Sequence, residues 1–96
     1  MDLSERLSNY YYQALCNVFL SAVHNKKGWL NYSIDYAQQA LNFAEKADDL
    51  DIHYEMHNLL AKYQTMNNKP ELAYYHQQES QKVLKEIMKR RQEESL

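Results

Sequence analysis

An all-α fold of four antiparallel helices is what this sequence predicts, and three observations predict it. One glycine and one proline in 96 residues leave too few turn formers for a sandwich, a barrel or a doubly wound sheet, which reverse direction every few positions. Apolar residues recur at helical spacing, as in Leu30, Ile34, Ala37, Leu41 and Ala44. The few breakers present, Gly28, Asn67-Asn68 and Pro70, stand between these periodic stretches.

The first helix is expected over about 4–25, with Ser4 as N-cap and Gly28 as the stop just beyond its end. The second spans about 31–47. The third begins near Asp51, taken as its N-cap, and carries Ile52, Met56, Leu59, Leu60, Tyr63 and Met66. Asn67-Asn68 offers a residue that tolerates a left-handed cap. Pro70 suits the first turn of the fourth helix, where its missing N–H costs nothing, and that helix runs to about Arg91. Connections this short force neighbouring helices antiparallel.

Two helices stand out. The first is apolar around most of its circumference, from Tyr10 to Val23, with only Gln13, Asn17, Ser21 and Asn25 as a polar stripe. Such a helix needs burial on more than one side. Either another chain covers part of it, or sequence once preceded it in a longer parent. The last helix is polar in its middle, from His76 to Lys82, and is expected to face water there. Val83, Leu84, Ile87 and Met88 then restore a narrow apolar seam. Lys89-Arg90-Arg91 and Glu93-Glu94 read as solvated.

The chain fits one domain, residues 1–96. Apolar residues at 45% and charged residues at 25% place it in the globular range and exclude a disordered tail. Eleven Lys and Arg against thirteen Asp and Glu give a net charge of −2, without the basic excess of a nucleic-acid module. No apolar run approaches the length of a membrane span. The first residues lack the basic start and apolar middle of a signal peptide, so a cytoplasmic protein is expected. A single cysteine, Cys16, excludes an internal disulfide, and its apolar neighbours point to a buried, inert thiol.

Little in the sequence points to catalysis. His53 and His57, at i and i+4, could place two imidazoles on one metal. A third ligand would have to come from His24, His76 or a carboxylate elsewhere, and packed or surface histidines are the simpler reading. Glu55 falls on another face, so the protease arrangement of such histidines is not made. No glycine-rich phosphate loop exists, and nothing sets Cys16 or a serine beside a base. The chain is therefore expected to be no enzyme and to need no cofactor or metal.

Offset by 40 residues, the two halves match in residue size. Phe19-Leu20-Ser21 meets Leu59-Leu60-Ala61, Gly28 meets Asn68, Ser33 meets Ala73 and Gln38 meets Gln78. A spacing of this kind marks helical repeats. The pattern resembles the tetratricopeptide repeat in its longer bacterial form. Leu60-Ala61, the aromatic Tyr63 and the turn Asn68-Lys69-Pro70-Glu71-Leu72-Ala73 carry the likeness in the second repeat, about 50–91. Leu20-Ser21, Gly28, Ser33, Ala37 and Ala40 carry it in the first, about 8–47. Asn68 for glycine, Pro70 for an aromatic, and Gln77 and Ser80 for a large and a small residue depart from the family pattern.

The resemblance implies two stacked helix-turn-helix units whose first helices line a groove for a protein or peptide. Carried over by position, the groove residues are Glu55, Asn58, Lys62 and Thr65 in the second repeat. In the first they are Asn25 and Lys26, with Leu15, Val18 and Ala22 before them. Tyr11, Leu15, Val18, Phe19 and Ala22 form the expected interface, for self-association or a partner chain. The chain also resembles the end of the helical sensor arms that precede bacterial signalling outputs. There the seam at Val83–Met88 would continue as a coiled coil toward an output domain. A small helical metal-binding protein is the third alternative.

Overall fold

The computed structural model describes residues 2–94, and these form four α-helices with no strand among them. Helix α1 spans Leu3–Lys26, α2 Leu30–Lys46, α3 Leu50–Met66 and α4 Pro70–Glu94. Each helix packs along its neighbour in the chain, α1 on α2, α2 on α3 and α3 on α4. No other pair packs along its length. The result is an open helical stack with Cα extents of 43 × 30 × 17 Å, a slab with α1 and α4 at its two edges.

Three alike links set this geometry. Gly28, Asp48 and Asn68 all have positive φ, at 79°, 54° and 57°. In each link the residue at positive φ donates its N–H three residues back, to Asn25, Glu45 or Thr65. The next residue donates five back, to His24, Ala44 or Gln64. This pair of bonds closes the helix end and satisfies its last carbonyls. The same following residue, Trp29, Asp49 or Lys69, accepts the first backbone bond of the next helix. The structural period is thus twenty residues per helix, half the repeat seen in the sequence.

Helix starts differ from expectation by two residues. Asp2, not Ser4, caps α1, its carboxylate accepting from the Glu5 N–H at 2.8 Å. Asp49, not Asp51, caps α3 by accepting from Ile52 at 3.0 Å. In both places two cap-forming residues compete within one turn. Pro70 opens α4 as expected, and α4 runs to Glu94, beyond Arg91.

The core gathers Ala14 of α1, Ala37, Ala40, Leu41 and Ala44 of α2, and Ile52, Met56, Leu60 and Tyr63 of α3. Small residues are prominent among the wholly buried side chains of α1 and α2, namely Ala14, Ser21, Ser33, Ala37, Ala40 and Ala44, and small side chains let two helices approach closely. Along α4, Ala73, His76, Ser80, Val83 and Ile87 are buried. The stretch 76–82 is therefore not uniformly water-facing. His76 and Ser80 turn inward while Gln77, Gln78, Gln81 and Lys82 face solvent. Arg90 pairs with Asp48 at 3.4 Å and Arg91 with Asp51 at 3.9 Å, so the basic run also reaches back to the α2–α3 link.

Candidate interaction surface

Helix α1 turns its polar stripe inward and leaves several of its apolar residues facing outward. Ser21 is wholly buried and donates to the Ser33 carbonyl of α2 at 2.8 Å. Asn17 is half-buried and donates to the Gln13 carbonyl one turn back, at 2.9 Å. Gln13 and Asn25 are half-buried too. Hydrogen bonds of this kind let polar groups occupy partly or wholly buried positions without loss. On the other side, Tyr12 is 64% and Phe19 68% exposed, and Tyr11, Leu15, Cys16 and Ala22 also face solvent.

Of the expected interface, Tyr11, Leu15, Phe19 and Ala22 lie on this outer side. Val18 does not, because it packs partly buried against the core. Cys16 is exposed, a correction to the buried thiol its apolar neighbours suggested. Leu15 beside it is exposed too, and no helix among the described residues packs over this side of α1.

The expected groove residues divide between two helices. Glu55, Asn58, Lys62 and Thr65 are all exposed, and their spacing of three, four and three puts them on one face of α3. The Thr65 hydroxyl donates to the Ala61 carbonyl at 2.9 Å. Asn25 and Lys26 belong to the end of α1, which does not pack along α3.

Two further groupings take shape only in the structure, although the histidines of the second were already singled out in the sequence. At the α1–α2 corner the His24 ring lies 5.6 Å from the rings of Trp29 and Tyr32 and 4.9 Å from Tyr36. Lys27 caps the Trp29 ring at 4.9 Å, within cation–π range. A cleft of about 590 Å³ opens there, bounded also by Gly28, Leu30, Asn31 and Asn67. The signal was present in the helical spacing of Trp29, Tyr32 and Tyr36, but the partner His24 sits across the link.

The second feature is a row of imidazoles between α2, α3 and α4. His57 Nδ1 lies 3.0 Å from His76 Nδ1, and His57 Nε2 lies 3.2 Å from His53 Nε2. Glu45 Oε1 stands 3.4 Å from His53 Nε2. Each nitrogen pair needs one N–H and one lone pair, so two facing rings cannot both be doubly protonated and keep their contact. Burial drives the His57 pKa down to about 4, helped by His53 and His76 and opposed by Glu79. Burial also lowers His76, again against Glu79. His57 uses its two nitrogens on opposite sides of the ring, so the groups form a line. Among the described residues no three such side chains converge as the ligands of one metal ion would.

The α4 seam divides as well. Val83 and Ile87 are buried, Leu84 is half-buried and Met88 is exposed. No helix among the described residues is long and apolar enough to cross a membrane. No protein-family model, curated protein or solved structure matches the chain.

Proposed function

We propose that this chain is a non-catalytic protein-interaction module of tetratricopeptide-like kind, and that the outer side of α1 takes an amphipathic helix of a partner chain. One observation carries the reading: α1 places polar residues against its own fold and leaves Tyr12, Leu15 and Phe19 in water. Clustered apolar exposure of this sort marks an interaction site, and an apolar helix face is matched by another helix. The alike links and the 40-residue match of Gly28 with Asn68, both at positive φ, support the repeat-like architecture. The exposed row Glu55, Asn58, Lys62 and Thr65 is a second, polar contact face in this reading.

The test is titration with a synthetic amphipathic helical peptide about three heptads long, carrying leucine at its a and d positions. Binding is expected to perturb the nuclear magnetic resonances of Tyr12 and Phe19 and to be lost in Phe19→Ser. A wild-type chain that neither binds the peptide nor associates with itself at millimolar concentration would overturn the reading.

A further inference from the structure

We infer that the partner for this face is a second copy of the chain, its α1 laid antiparallel on the first about a two-fold axis near Leu15 and Cys16. The inference rests on the reading above and names its partner. The outer stripe consists of Glu5, Ser8, Tyr12, Leu15, Phe19, Ala22 and Lys26, and every one of them is exposed. Their steps alternate three and four. A stripe that repeats every 3.5 residues keeps two helices in contact as they wrap left-handed around each other.

The stripe also reads alike from both ends. A charged residue comes first, then a small one, an aromatic, Leu15 at the middle, an aromatic, a small residue and a charged one. An isologous pair needs this kind of self-complementarity, because each position meets its counterpart from the other end. The two ends differ in the sign of their charge. Asp2 and Glu5 stand at the start of α1, and Lys26 and Lys27 at its close. Antiparallel pairing sets each acidic end over the partner's basic end and opposes the two helix dipoles. Parallel pairing would set Glu5 on Glu5 and Lys26 on Lys26.

Sedimentation equilibrium of the full chain at low salt tests this with Glu5→Lys, Lys26→Glu and the double variant. All three change exposed residues, and circular dichroism checks that each stays folded. The wild type is expected to dimerise. Either single reversal places like charges at both symmetric ends and should weaken the dimer about tenfold. The double variant restores both contacts and should return to within about threefold of wild type. Single variants that dimerise as well as wild type, as parallel pairing requires, would overturn the inference while leaving the interaction module standing. So would a double variant weaker than either single one. A wild-type chain that stays monomeric at millimolar concentration yet binds the leucine peptide at Phe19 would also overturn the inference and spare the broader reading. A chain that does neither overturns both.

Discussion

His57 and His76 touch nitrogen to nitrogen across the α3–α4 seam, Nδ1 to Nδ1 at 3.0 Å, and both rings are buried. Around them stand His53 on α3, Glu45 on α2, and Tyr75 and Glu79 on α4. Only one of the two facing nitrogens can carry a proton, so protonating both rings sets N–H against N–H and forces the seam apart.

Stability is therefore expected to depend on pH. Unfolded histidine takes up a proton near 6.5, whereas folded His57 does so only near 4. The unfolded chain binds more protons between these values, so stability is full above about 6.5, declines as pH falls toward 4, and levels off below. The two pKa values correspond to about 2.5 kcal/mol between pH 7.5 and 4.5, and solvent screening of the partly open site reduces the expected loss to about 1–2 kcal/mol. Urea unfolding at the two values measures it. His57→Gln should flatten the dependence. An unchanged slope in that variant would show that the titrating group lies elsewhere.

The links make a second prediction. Gly28 has φ +79° and open space where a Cβ would stand, so Gly28→Ala suffers backbone strain without a clash. A cost of about 1 kcal/mol is expected. Asn68 already bears a left-handed conformation at φ 57°, and Asn68→Gly should stabilise by about 0.5 kcal/mol. Thermal melts of the two variants should therefore shift in opposite directions.

Neighbours on α4 should behave unlike one another. Ile87 is 7% exposed and faces the interior, while Met88 is 60% exposed. Ile87→Ala should cost about 2–4 kcal/mol through lost burial and a cavity. Met88→Ala should stay within about 0.5 kcal/mol. Equal effects in chemical denaturation would mean that the seam does not pack as described.

Much of the fold was legible because its punctuation is sparse. Gly28, Asn68 and Pro70 mark helix ends by backbone chemistry alone, and they placed the helix boundaries to within a few residues. The α2–α3 link was harder, since Asp48 adopts the left-handed conformation without a glycine to announce it. Caps slipped by two residues where Asp2 and Ser4, or Asp49 and Asp51, stood in competition. The site was less legible. Periodicity showed that α1 is apolar nearly all round, but it could not say which side turns inward. That choice shows in the burial of Ala14 and Ser21 and in the Ser21 hydroxyl donating to the Ser33 carbonyl of α2, a tertiary property. Val18 and Cys16 exchanged their expected positions for the same reason. The imidazole row joins residues nineteen apart, His57 and His76, and no local pattern announces such a pair.

The central claim is that α1 keeps an apolar face outward for a second copy of the chain. It is tested most directly by the solution mass of wild type and Phe19→Ser across a concentration series. The account predicts that the wild type associates as concentration rises. Phe19→Ser should remain monomeric with its unfolding midpoint at high dilution within about 0.5 kcal/mol of wild type. Two curves that coincide, both monomeric throughout, would contradict it.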